Sequence, residues 1–392
     1  MKRLLIIPNL ATVIALCLTL ASCYTLYPAS SPSPGGNTST AQSQPSGNTS
    51  PATTAIPPEP PPLTGTLVPG DTLTEKLAWL QQSADSHNTY ILEVTADENI
   101  APTTLEYRGS INITIALRGD NENRTIRLRS NGTMFTVSSN VTFVLENNIT
   151  LMGHNGNTGA LVNVNGGVLK LRNGSAIIGN DSGGINLSSG TFDMTGGSIS
   201  DNSARYGGGV FIASNVTFTM SGGTIAKNTA FENGGGILVD AGHFTMSGGT
   251  VLDNTATQGG GVSIQNSTGN FTLNMIGGSI SGNVASDSGG GVYVGSFSTF
   301  TMRGGSITAN TANNYGGGIA IHSSYGHFTK TGGSITGYNT DPVNGNVVKV
   351  ENILARRGHA VFVSENTRKE TTAGSGVNLS YSSSGKSGGW DS

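Results

Sequence analysis

Over most of its length this chain alternates apolar and polar positions in short bursts, and the alternation has a period of two. Phe218 and Met220 stand two apart with Thr219 between them, as do Val210 and Ile212 around Phe211. That spacing puts the apolar pair on one strand face and the intervening residue on the other, so each burst predicts a short half-buried strand. The pattern begins at Tyr90–Val94 and returns over Asn112–Leu117, Ile126–Leu128 and Met134–Val137. Just upstream the period changes: Leu73, Leu77, Leu80 and Ala84 share one helical face, and Thr72 with Glu75 makes a capping box. A short amphipathic helix is predicted there, placed to cover the open N-terminal end of the strand-rich body.

Beyond these strands the chain repeats itself. TFDMTGGSISDN, TFTMSGGTIAKN, HFTMSGGTVLDN, a stretched FTLNMIGGSISGN, TFTMRGGSITAN and HFTKTGGSITGYN align on Ile199, Ile225, Val251, Ile280, Ile307 and Ile335, with steps of 26, 26, 29, 27 and 28 residues; Ile177 lies 22 residues earlier. Between these copies runs a second motif, GGGVFI from Gly207, GGGILV from Gly234, GGGVSI from Gly259, GGGVYV from Gly289 and GGGIAI from Gly316, with an imperfect GHAVFV from Gly358. Units of this length, each unable to bury its own apolar face, predict a solenoid in which neighbours stack. The chain is therefore read as one elongated all-β domain, a right-handed single-stranded parallel β-helix capped by the N-terminal helix. Phe192, Phe218, Phe244, Phe300 and Phe328 should form a core ladder, and burying each is worth about 1.5–3 kcal/mol.

The glycine pairs suit tight corners between short sheets. Three residues after each aligned aliphatic position stands an asparagine: Asn180, Asn202, Asn228, Asn254, Asn283 and Asn310, with Asn339 displaced by one. Stacked at about 4.8 Å they would form a ladder that satisfies backbone groups at the corner.

Composition sharpens this reading. Glycine supplies 58 of 392 residues and only 11% are charged, a turn-rich, weakly charged chain. The first residues, MKRLLIIPNLATVIALCLTLASC, join a basic start at Lys2 and Arg3 to an apolar run from Leu10 to Leu20, too short for a spanning helix, and end in Leu20-Ala21-Ser22-Cys23. That tetrapeptide resembles a bacterial lipobox, which implies removal of residues 1–22, loss of Cys17, and a lipid on Cys23 that holds the chain to a membrane. Residues 23–68, rich in Ser, Thr, Pro, Gly, Gln and Asn, cannot bury a core and read as a disordered tether. Residues 69–392 are assigned to the β-helix and its cap. With 20 Lys and Arg against 23 Asp and Glu and no basic cluster, the chain lacks the positive field that nucleic-acid binding needs.

Candidate chemistry is sparse. Asp201, Lys227 and Asp253 each precede a ladder asparagine on successive turns, and read either as a carboxylate pair about two rungs apart, near an inverting glycosidase spacing, or as an exposed salt-bridge ladder. The same column holds Gly179, Gly282, Ala309 and Gly337, which favours the second. His243 and His327 precede equivalent phenylalanines, while His154, His322 and His359 occupy other registers, so no spacing matches a zinc site and no cofactor is expected. SGKSGG near Lys386 lacks the first glycine of a P-loop. Sequons such as Asn215–Thr217 follow from the composition. Phe211, Tyr293 and Phe362, expected to face outward, are candidate contact residues.

On these motifs the body from about Asp71 onward resembles the pectin-lyase-like β-helix lipoproteins of treponemes and related spirochaetes. The two motifs are also similar to the GGA(I/L/V) and FxxN repeats of chlamydial polymorphic membrane proteins, although nothing here resembles their C-terminal barrel. The resemblance implies a lipid-anchored envelope protein, outer-membrane or surface-exposed, acting as an adhesin-like or structural interaction protein toward host or envelope proteins or glycans. The alternative is a carbohydrate-active lyase or hydrolase.

Overall fold

The computed structural model describes residues 61–363 apart from Arg108, Ser110, Ser214, 266–270, 322–325, 339–340 and 350–357, and the backbone of three further strands, Thr367–Thr372, Gly376–Tyr381 and Gly388–Trp390. Cys17, Cys23, most of the tether, His322, Asn339 and Lys386 lie outside the described residues.

The body is a parallel β-solenoid. Its second sheet has ten strands and its third has six, and each is crossed in chain order, one strand per turn. The first sheet takes two strands from most turns: Val210–Ile212 bends at Asn215 into Thr217–Met220, and both pair in parallel with the turns above and below. A glycine pair then turns the chain into the second sheet at Thr224–Ala226, an asparagine corner leads to the third at Thr229–Asn233, and a triple glycine returns it to the first. Among the described residues no helix is long and apolar enough to cross a membrane.

Register makes like side chains meet. Phe192, Phe218 and Phe244 are fully buried and stack with ring centroids 4.4 and 4.8 Å apart; Phe300 and Phe328 follow at 5.0 Å. Leu273, not Phe271, fills the intervening place, because the stretched copy slides its phenylalanine two residues back, to a half-buried position beside the core. Met194, Met220, Met246, Met275 and Met302 form a parallel column, also fully buried. Each methionine explains a glycine: a Cβ on Gly223, Gly249, Gly278, Gly305 or Gly333 would lie 2.6 Å from the terminal methyl of the methionine one turn earlier. The glycine pair is thus a socket as well as a corner.

Both ends are closed. Helix α1 (Leu73–Ser83) buries Leu73, Leu77 and Leu80 against the first turn, and its capping box forms as Thr72 accepts from the Glu75 amide and Glu75 from the Thr72 amide. Glu98 accepts from the Leu73 amide with both oxygens at 2.9 Å, setting a negative charge at the positive end of the helix. At the other end the chain reverses: Gly376–Tyr381 pairs antiparallel with His327–Lys330, and Gly388–Trp390 with Val361–Val363. These strands occupy edges that would otherwise offer unpaired N–H and C=O groups.

Candidate functional site

The asparagine corner is the most regular polar array. Asn180, Asn202, Asn228, Asn254, Asn283 and Asn310 are buried, and from Asn202 onward each Nδ2 donates to the side-chain oxygen of the next asparagine at 2.9–3.0 Å, or 2.8 Å for the last. The same Nδ2 donates to the aliphatic carbonyl one turn back, Asn228 to Ile199 and Asn254 to Ile225, both at 2.9 Å. From Asn228 to Asn310 each amide thereby uses both donors and both lone pairs inside the corner and has nothing left for a ligand. The ladder is longer than its sequence spacing indicated. It starts at Asn157, whose Nδ2 donates to Asn180 at 2.8 Å, and ends at Asn346, which accepts from Asn310; Asn346, 36 residues on, holds the place for which the sequence offered Asn339.

Asp201, Lys227 and Asp253 share a backbone conformation. Their φ values are 57°, 56° and 55°, and Gly179, Gly282 and Ala309 repeat it at 66°, 67° and 56°. The left-handed corner selects Gly, Asn or Asp, so local backbone accounts for two acids in this column without any chemistry. All three side chains are exposed. Asp253 folds toward the next turn, its Oδ1 standing 2.3 Å from where a Cβ of Gly282 would be. Among the described residues Lys227 makes no ion pair with either acid, so the expected salt-bridge ladder does not form. The sequons have the same origin: Asn112, Asn140, Asn148 and Asn215 all carry φ between 55° and 67°, the first three opening strands whose second residue is threonine and Asn215 preceding Val216 and a strand that begins at Thr217.

Among the described residues, three histidines bond to separate partners. His243 meets Thr272 at 2.9 Å, His154 the carbonyl of Asn155, and buried His359 accepts from the Val348 amide at 2.9 Å.

Two of the expected contact aromatics are corrected. Phe211 is half-buried, but Tyr293 and Phe362 are only 8% and 5% exposed. Tyr315, just past the third-sheet strand of the preceding turn, packs on Phe362 with centroids 4.4 Å apart, so the outward side of that strand is covered. Burial pushes the Tyr293 phenol above its usual range.

The most exposed aromatic among the described residues is Phe231, 69% exposed on the third sheet. Its signal was present in the sequence, since Ala204, Ala230, Ala256, Ala285 and Ala312 point inward at one position per turn and the next residue must point out. Beside it, on adjacent strands, Glu232 accepts from Arg205 Nε at 2.6 Å and from the Tyr206 hydroxyl at 2.5 Å, while the Arg205 guanidinium lies 5.1 Å from the Tyr206 ring centre. The Tyr206 hydroxyl and then Arg205 hold the Glu232 carboxyl below its ordinary value. Arg205, Tyr206, Phe231 and Glu232 make one patch that is aromatic and charged, with Arg205 and Tyr206 both bonded to Glu232.

A second polar constellation escaped the sequence reading. Glu93, Arg118, Glu146 and Arg172 succeed one another on consecutive turns of the first sheet, with Arg118 to Glu93 at 3.0 Å and Arg172 to Glu146 at 2.9 Å. Glu146 is 2% exposed. Next to it a shallow trough of about 580 Å³ runs over the second sheet, lined by neutral groups that include Asn123, Thr150, Asn173, Ser198 and Thr224. Among the described residues no group of three His, Cys, Asp or Glu is arranged to hold a metal.

No family model matches the chain, and neither the curated proteins nor the solved structures contain one significantly similar to it.

Proposed function

We propose that this chain is a non-catalytic, lipid-anchored protein of the bacterial envelope, outer-membrane or surface-exposed, whose solenoid presents contact surfaces to a host or envelope protein or glycan. The observation that carries the reading is the patch of Arg205, Tyr206, Phe231 and Glu232. An exposed phenylalanine beside an arginine and a tyrosine already held by a carboxylate is the composition of a protein-contact hot spot, and its geometry costs little further ordering on binding. The anchor rests on Leu20-Ala21-Ser22-Cys23, and the resemblance to spirochaete and chlamydial repeat proteins supports the same assignment. Against catalysis stands the setting of the acids: Asp201 and Asp253 sit at exposed corners dictated by backbone, with Lys227 between them and Gly179 and Gly282 on either side in the column.

The test is binding of the purified full chain, detergent-solubilised, to host matrix and to cells, beside a Phe231→Ala, Arg205→Ala variant. Retained binding in the variant would remove the patch from the proposal. Metabolic labelling with a fatty acid, lost in Cys23→Ala, examines the anchor separately.

A further inference from the structure

The last residues assigned by sequence to the tether lie against the coil. Thr66 and Leu67 pair in parallel with Tyr90 and Ile91, and the Val68 amide donates to the Ile91 carbonyl at 3.0 Å. From there, read backward, the chain crosses the outer face of the first sheet. Leu63 packs on Ile91, Ala116 and Val144, which belong to three successive turns and are buried although they point away from the core. The same outward column continues as Lys170, Asp193, Thr219 and Thr245, all polar and none fully buried, so the apolar strip ends where its cover ends.

The cover is held by a latch. Oε1 of buried Glu146 accepts from the Leu63 amide at 2.9 Å and from Arg172 at 2.9 Å, and Arg172 donates to the Pro61 carbonyl at 3.0 Å. Proline segments make no internal hydrogen bonds, so these outside partners fix the segment in place. The hold is local. Only Val68 of residues 61–68 is buried, Leu67 is 59% exposed, and a cavity of about 390 Å³ lies between Pro61, Pro62, Glu146 and Arg172. Glu146 Oε2 has no hydrogen-bond partner, with Arg118 3.9 Å away.

We infer that Pro61–Leu67 is a separable strap, latched by Glu146 and Arg172 and hinged at core-packed Val68, whose release leaves the coil folded and uncovers a strip of Ile91, Ala116 and Val144 beside a free sheet edge, a docking site for an extended apolar strand. In the closed form the occupant is the chain's own segment. Opening as far as Leu67 needs no core side chain to move, because Leu63 rests on the outside of the sheet and Val68, which is packed in the core, stays in place as the hinge.

Hydrogen exchange by mass spectrometry on the full chain tests this, with Glu146→Gln breaking the latch and Leu63→Asp, outside the coil, as a second variant that leaves the buried ion pair intact. The expected result is at least tenfold faster exchange over residues 63–67 with unchanged protection of 113–117 and 141–145. A synthetic peptide of residues 61–70 should then bind Leu63→Asp and not the wild type. The inference fails if the strap exchanges no faster in either variant, if the strands beneath lose protection together with it, or if wild-type protection rises with concentration alongside a doubled mass, which would make the occupant another copy's strap.

Discussion

The side-chain oxygen of Asn254 accepts two hydrogen bonds from Asn228, one from its backbone amide and one from its Nδ2, each at 3.0 Å. The corner is therefore bonded from turn to turn through side chains as well as through the sheets. Asn254→Ala strands both donors and removes the side-chain bond to the Ile225 carbonyl in a site with no exposure, at about 1–3 kcal/mol for each buried group left unsatisfied. Denaturant unfolding should show a loss of several kcal/mol, with faster amide exchange concentrated in the two adjoining turns. A variant as stable as wild type would mean that water enters the corner at no cost.

The phenylalanine column gives a graded prediction. Phe218→Ala should cost about 3–5 kcal/mol, while Phe218→Leu should cost less than about 1.5 kcal/mol. The second value is expected because Leu273 already occupies this column between Phe244 and Phe300. Thermal or urea unfolding of the two variants separates a column that needs rings from one that needs volume.

Gly249→Ala carries two penalties, a φ of 77° and a methyl 2.6 Å from the Met220 terminus. Removing the clash with Met220→Ala should recover part of the loss and leave the backbone share, about 1 kcal/mol or more. A double-mutant cycle measures the coupling, and strictly additive losses would mean that the methionine moves aside freely.

Glu232 titrates below its ordinary value because the Tyr206 hydroxyl and Arg205 favour its charged form. Its contribution to stability is therefore present above the unfolded-state value and fades as pH falls through the depressed one; solvent screening keeps it small. Carbon-detected NMR of the Glu232 carboxyl should show the midpoint rising toward the ordinary value in Tyr206→Phe. An unmoved midpoint would leave Arg205 as the sole cause.

Incubation of the full chain with pectins and neutral glycans should give no turnover. Cleavage that disappears in Asp201→Asn would instead revive the carbohydrate-active reading.

The repetitive middle was legible because every turn there repeats the same demands: an inward pair, a glycine socket, an asparagine three past the aliphatic. Where a turn departs from that spacing the reading failed locally. Asn157 and Asn346 sit behind irregular loops, so no fixed offset finds them, and Tyr293 with Phe362 looked exposed because alternation predicts direction, not what folds over it. Composition placed Pro61–Val68 in the tether, since eight residues rich in Pro, Thr and Gly carry no periodicity; only the apolar outward positions Ile91, Ala116 and Val144 announced that something must lie on them. The charge column of Glu93, Arg118, Glu146 and Arg172 comes from four turns with no shared motif, and stacking alone reveals it.

The methionine methyl that fills the next turn's glycine socket has a bearing on how such a chain changes length. A duplicated or deleted stretch keeps knob and hole matched only if it spans a whole turn, so gain and loss should proceed in complete units of roughly 26–29 residues. A partial insertion is accommodated in the loops between strands, as the long excursion from Asn310 to Asn346 already demonstrates.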